Sequence, residues 1–78
     1  MREIPSLKSF TKMILALSSG EYVYVDLGDG ASAKILKTEN TYQLFEIPIY
    51  GGYPTPVKKY PLTIEVVKEI LHELSSWT

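Results

Sequence analysis

The sequence predicts a two-layer α+β domain. Three to four strands form an antiparallel β-meander, flanked in sequence by an N-terminal and a C-terminal helix that lie on one face of the sheet. Three observations predict it. Apolar residues recur at helical spacing near both ends of the chain. Between them, polar and apolar residues alternate with a period of two. Glycines, prolines and short polar clusters cut that middle stretch into pieces of strand length.

The first helix is expected over roughly Ser6 to Ser19. Leu7, Phe10, Ile14 and Leu17 make one apolar stripe, and Lys8, Thr11, Lys12 and Ser19 fall away from it. Pro5 and Ser6 suit its start and Gly20 its end. Met13 and Leu15 widen the stripe, so this helix is also the candidate for covering the other face of the sheet.

The first strand, Glu21 to Leu27, puts Val23, Val25 and Leu27 on one face and Tyr22, Tyr24 and Asp26 on the other. Gly28-Asp29-Gly30 is a hairpin signal. A two-residue loop would set Val25 opposite Lys34. A three-residue loop sets Val25 opposite Ala33, Val23 opposite Ile35 and Tyr24 opposite Lys34, keeping apolar with apolar. The second register is expected, with a left-handed glycine in the loop. The second strand then spans about Ala31 to Thr38.

The polar cluster 38–41 turns the chain into a third strand, about Tyr42 to Ile49. Its odd positions, Phe45, Ile47 and Ile49, are assigned to the core, and Tyr42, Leu44 and Glu46 to the opposite face. Residues 50–56 read as a loop, and Val57 to Tyr60 as a short edge strand confined by Pro56 and Pro61. The last helix is expected from Ile64 to Ser76, with Thr63 as N-cap. Val67, Ile70, Leu71 and Leu74 face inward, and Trp77 extends that stripe.

The 78 residues fit a single domain, residues 1–78, with a small core. The chain contains no cysteine, so disulfides and thiolate metal sites are excluded. A formal net charge of −1 argues against a general duplex-coating role. The longest apolar run near the N-terminus, Met13 to Leu17, is too short for a signal-peptide core or a membrane span. A cytoplasmic protein with no membrane association is the expectation.

No catalytic constellation is legible. His72 is the lone histidine, on the second helix near Lys68, Glu69 and Ser75; neighbours on a solvated helix face supply no oxyanion site and no cleft. Glu65, Glu69 and Glu73 recur every four residues as an acidic ridge, not as paired carboxylates in contrasting environments. The stretch from Gly28 to Lys34 lacks the spacing of a phosphate-binding loop and bridges two strands. A non-enzymatic protein with neither metal nor cofactor follows as the expectation.

What remains is collective. The face turned away from the helices is expected to carry Tyr22, Tyr24, Lys34, Leu36, Tyr42 and Leu44, a contiguous amphipathic patch suited to a protein partner or to a homodimer. A secondary site is expected around Tyr50, Tyr53, Lys58, Lys59 and Tyr60. The alternative is single-stranded nucleic-acid binding, with Tyr24 and Tyr42 stacking bases while Lys34 and Lys37 track the backbone, aided by the 50–60 loop. Against it stand the acidic balance and the single arginine, Arg2.

Overall fold

A computed structural model describes residues 4–77. The element order is α1 (Leu7–Leu15), β1 (Tyr22–Gly28), β2 (Ala31–Lys37), β3 (Thr41–Ile47), β4 (Thr55–Pro61) and α2 (Val66–Ser76). The strands form one antiparallel sheet in the order β1-β2-β3-β4. The meander with a helix at either end is therefore as expected, and the short edge strand is a full fourth strand.

The β1–β2 hairpin keeps the register that preserves apolar pairing: Val23 faces Ile35, Tyr24 faces Lys34 and Val25 faces Ala33. The route to it differs from a plain three-residue loop. Asp29 and Gly30 both take positive φ, 52° and 80°, as a two-residue mirror-image turn demands. Leu27 is then the extra residue between the Asp26–Ser32 and Gly28–Ala31 pairs, a β-bulge. The Asp26 carboxylate accepts from the Gly28 amide at 2.9 Å and braces this corner. A Cβ on Gly30 would meet only the Ile49 side chain at 3.5 Å, an ordinary contact. Gly30→Ala should thus lose about 1 kcal/mol through backbone conformation alone. A urea titration should show the midpoint falling with an unchanged slope.

The β2–β3 connection corrects the assignment of the third strand. Thr38 and Thr41 close the turn: the Thr38 amide donates to the Thr41 carbonyl at 2.8 Å, and the Thr38 hydroxyl accepts from the Asn40 and Thr41 amides. Only Glu39 and Asn40 lie between them. Ile35 therefore faces Leu44, and Lys37 faces Tyr42. Residues directly opposite share a face, so Tyr42 and Leu44 join the core, at 5% and 1% exposure. Phe45 and Ile47 turn outward and are half-buried, and Ile49 lies beyond the strand and is exposed.

Both helices cover the same face. Phe10 and Ile14 from α1, Leu17 just beyond its end, and Val66, Val67, Ile70 and Leu74 from α2 belong to one buried cluster with Val25, Ala33, Ile35, Leu44 and Tyr60. The α1 stripe is narrower than expected: Leu7 and Leu15 are exposed, so this helix does not reach the far side of the sheet. It also ends early, capped by Ala16 rather than Gly20; Gly20 instead donates its amide to Lys37 at 2.8 Å where β1 begins. The start of α1 is capped by the Ser6 hydroxyl, which accepts from the Ser9 amide. The second helix starts two residues late. A tight turn, in which the Val66 amide donates to the Thr63 carbonyl and the Val67 amide to the Ile64 carbonyl, precedes it. Glu65 holds the cap position without a side-chain bond. Among the described residues no helix is long and apolar enough to cross a membrane.

Candidate interaction surface

The uncovered face of the sheet is built from every second residue of the central strands. On β1 these are Tyr22 and Tyr24, with Asp26 at the rim. On β2 they are Ser32, Lys34 and Leu36, and on β3 they are Gln43, Phe45 and Ile47. Lys59 of β4 stands opposite Gln43 and closes the patch on that side. The two tyrosines are exposed, at 50% and 58%, whereas Leu36, Phe45 and Ile47 are half-buried.

Lys34 is the centre. It faces Tyr24 on one side and Phe45 on the other. Its ammonium lies 4.5 Å from the centroid of the Tyr22 ring and 5.6 Å from that of Phe45. Each contact is worth about 0.5–1 kcal/mol at an exposed site. The Tyr22 and Tyr24 rings meet edge to face, with centroids 5.2 Å apart and planes at 75°. These contacts favour one arrangement of the rings around one positive charge, which lowers the side-chain entropy lost on binding.

Of the residues expected here, Tyr22, Tyr24, Lys34 and Leu36 share this face, whereas Tyr42 and Leu44 are sealed beneath the helices. Phe45, Ile47 and Gln43 were missed. Their signal was the two-residue spacing between Thr38 and Thr41, which inverts the alternation of β3 relative to β2.

The secondary site does not assemble. Tyr50 and Tyr53 are exposed on the β3–β4 loop, whose backbone turns through Gly51 and Gly52 at φ 91° and 110°. Tyr60 is a core residue, 2% exposed, because it pairs with Tyr42 on the covered face. Lys58 follows it there, with its ammonium 5.1 Å from the Tyr60 ring centroid, while Lys59 points to the opposite face. The lysines are separated in the same way elsewhere: Lys37 donates to the Leu17 carbonyl at 3.2 Å, on the helix side.

His72 lines an open groove between α2 and β4 with Lys58, Tyr60, Lys68, Glu69 and Glu73. Glu73 also accepts a 3.1 Å bond from the Trp77 indole. Among the described residues no three histidines, aspartates or glutamates converge as metal ligands. Burial, then the negative charges of Glu73 and Glu69, raises the Tyr60 phenol above the ordinary 10.0. The folded chain consequently holds this proton to higher pH than the unfolded chain does. That stabilisation is intact below pH 10 and is lost as pH rises above it. Melting curves from pH 9 upward should fall steeply for the natural chain and less steeply for Tyr60→Phe.

Comparison with protein-family models, with curated proteins and with solved structures finds no match to this chain.

Proposed function

We propose that the chain is a non-enzymatic protein-interaction module that docks a protein partner on its uncovered sheet face. The observation that carries this reading is the central cluster of Tyr22, Tyr24, Lys34 and Phe45, which holds aromatic rings around a lysine with no helix over them. Aromatic side chains with a polar handle are enriched where proteins bury against each other, since they remove much apolar area from water and still hydrogen-bond at the edge. Leu36 and Ile47 extend the apolar area, and Gln43, Ser32 and Lys59 supply polar groups around it.

Nucleic-acid binding is supported less well. A stacking platform needs open ring faces and a continuous basic track. Here Lys34 already sits over the Tyr22 ring, Tyr42 and Tyr60 are buried, and Lys37 and Lys58 belong to the helix side. Among the described residues of the sheet, only Lys34 and Lys59 remain as basic side chains on the uncovered face.

The test is a photo-crosslinking amino acid placed at Phe45 or Gln43 in the producing cell, with the exposed turn residue Glu39 as control. Protein adducts are expected from the two sheet positions and not from the turn. Adducts with nucleic acid, or none at all, would overturn the proposal. Short single-stranded oligonucleotides should not bind at low salt, where electrostatic attraction is strongest.

A further inference from the structure

The two edges of the sheet are not equally protected. Strand β4 carries Pro56 and Pro61, two lysines, and a bulge where Leu44 faces Lys58 but Phe45 faces Pro56. Each of these features blocks the addition of another strand. Strand β1 has no proline and no lysine, and its one charge is Asp26. Among the described residues no strand pairs with its far side.

The backbone of β1 shows which groups face that side. The Lys37 amide donates to the Glu21 carbonyl at 2.9 Å, so odd-numbered residues bond toward β2. In an antiparallel ladder the alternate residues then direct their amides and carbonyls outward. These are Tyr22, Tyr24 and Asp26. The regular stretch ends at Asp26, because Leu27 is the bulge, and its midpoint is Tyr24.

We infer that β1 pairs with β1 of a second copy about a two-fold axis at Tyr24, joining two sheets into one of eight strands. In that register Tyr24 faces Tyr24 of the second copy, Val23 faces Val25, and Tyr22 faces Asp26. Tyrosines meet on the uncovered face and valines on the helix side, so like environments are matched. Charges are matched as well. The Lys34 ammonium rests over the Tyr22 ring, so Asp26 of the second copy arrives beside it, and the symmetry axis repeats the pair at the other end. The five paired residues would exchange about six backbone hydrogen bonds. A strand that reads Tyr-Val-Tyr-Val-Asp is complementary to itself when reversed, which is what a closed two-fold interface requires. The uncovered faces of both copies then form one platform on the same side. The pairing stands on the strand edge and does not depend on a protein partner being bound to that platform.

The test is sedimentation velocity of the full chain across the micromolar range, with charge reversals at both ends of the contact. The natural chain should sediment at twice 8.8 kDa. Asp26→Lys alone and Lys34→Glu alone should each halve that mass, since like charges then face one another. An equimolar mixture of the two variants should recover the dimer, because both contacts are again of opposite sign. A natural chain that stays monomeric, a single variant that stays dimeric, or a mixture that stays monomeric overturns the inference. Because Asp26 also braces the Gly28 amide, hydrogen exchange of the natural chain gives a second readout. The Tyr22, Tyr24 and Asp26 amides should slow with rising concentration, and rates independent of concentration overturn the pairing. Crosslinks from Phe45 and Gln43, far from this edge, report on the docking face separately.

Discussion

Leu44→Ser is expected to cost about 4 kcal/mol or more, whereas Phe45→Ser, one residue further along the same strand, should cost about 1 kcal/mol. Leu44 is 1% exposed and lies beside Ile35 on the helix-covered face, in the same buried cluster as the helix residues. Serine there leaves a cavity and places a hydroxyl with no partner in an apolar site. Phe45 lies on the uncovered face, where its loss removes a cross-strand contact and one ring from the Lys34 ammonium. A domain of this size holds about 5 kcal/mol in total, so the first variant should be largely unfolded at room temperature and the second folded. Urea titration followed by circular dichroism separates them. Similar midpoints for the two would mean that the alternation of β3 is not as described.

The second large effect is expected at Phe10. Its side chain is fully buried, and with Ile14 and Leu17 it is what fastens the N-terminal helix to the core. Phe10→Ala should cost about 3–5 kcal/mol. A helix of nine residues has almost no stability by itself, so α1 should lose its structure along with its contact. At 4–8 °C per kcal/mol, even the lower figure lowers the melting temperature by roughly 12–24 °C. Leu15→Ala, on the exposed side of the same helix, should change it by only a few degrees. Thermal melts of the two variants make the comparison, and a single transition is expected in both.

Much of the architecture was legible in the sequence because two periodicities do not overlap. Val23, Val25, Ala33 and Ile35 alternate cleanly against polar or tyrosine partners, so one register of the first hairpin satisfies them, and the structure has it. The helix stripe through Val67, Ile70 and Leu74 was equally clear. The third strand was not. In Tyr-Gln-Leu-Phe-Glu-Ile both parities carry large apolar side chains, so hydrophobicity alone cannot choose a face. The choice is made outside the strand, by a turn whose length depends on Thr38 bonding back to Asn40 and Thr41. Four of the six expected patch residues, those on β1 and β2, therefore lie on the uncovered face, and the two on β3, Tyr42 and Leu44, give way to Gln43, Phe45 and Ile47. Helix ends were misplaced for a related reason: Gly20 and Thr63 have the right chemistry for caps, but they serve the chain reversals beside the helices.

The bond from the indole of Trp77 to Glu73 gives the molecule a native optical probe. Trp77 is the single tryptophan of the chain and lies half-buried at the end of α2. Its emission therefore monitors how the C-terminal helix is seated, without any added dye. The helix side of β4 contributes Tyr60 to the same groove as Glu73, while β1 forms the opposite border of the sheet. Fluorescence should consequently respond to alkaline loosening around Tyr60 and stay nearly silent to events at the far border, so two processes in one small protein can be followed independently.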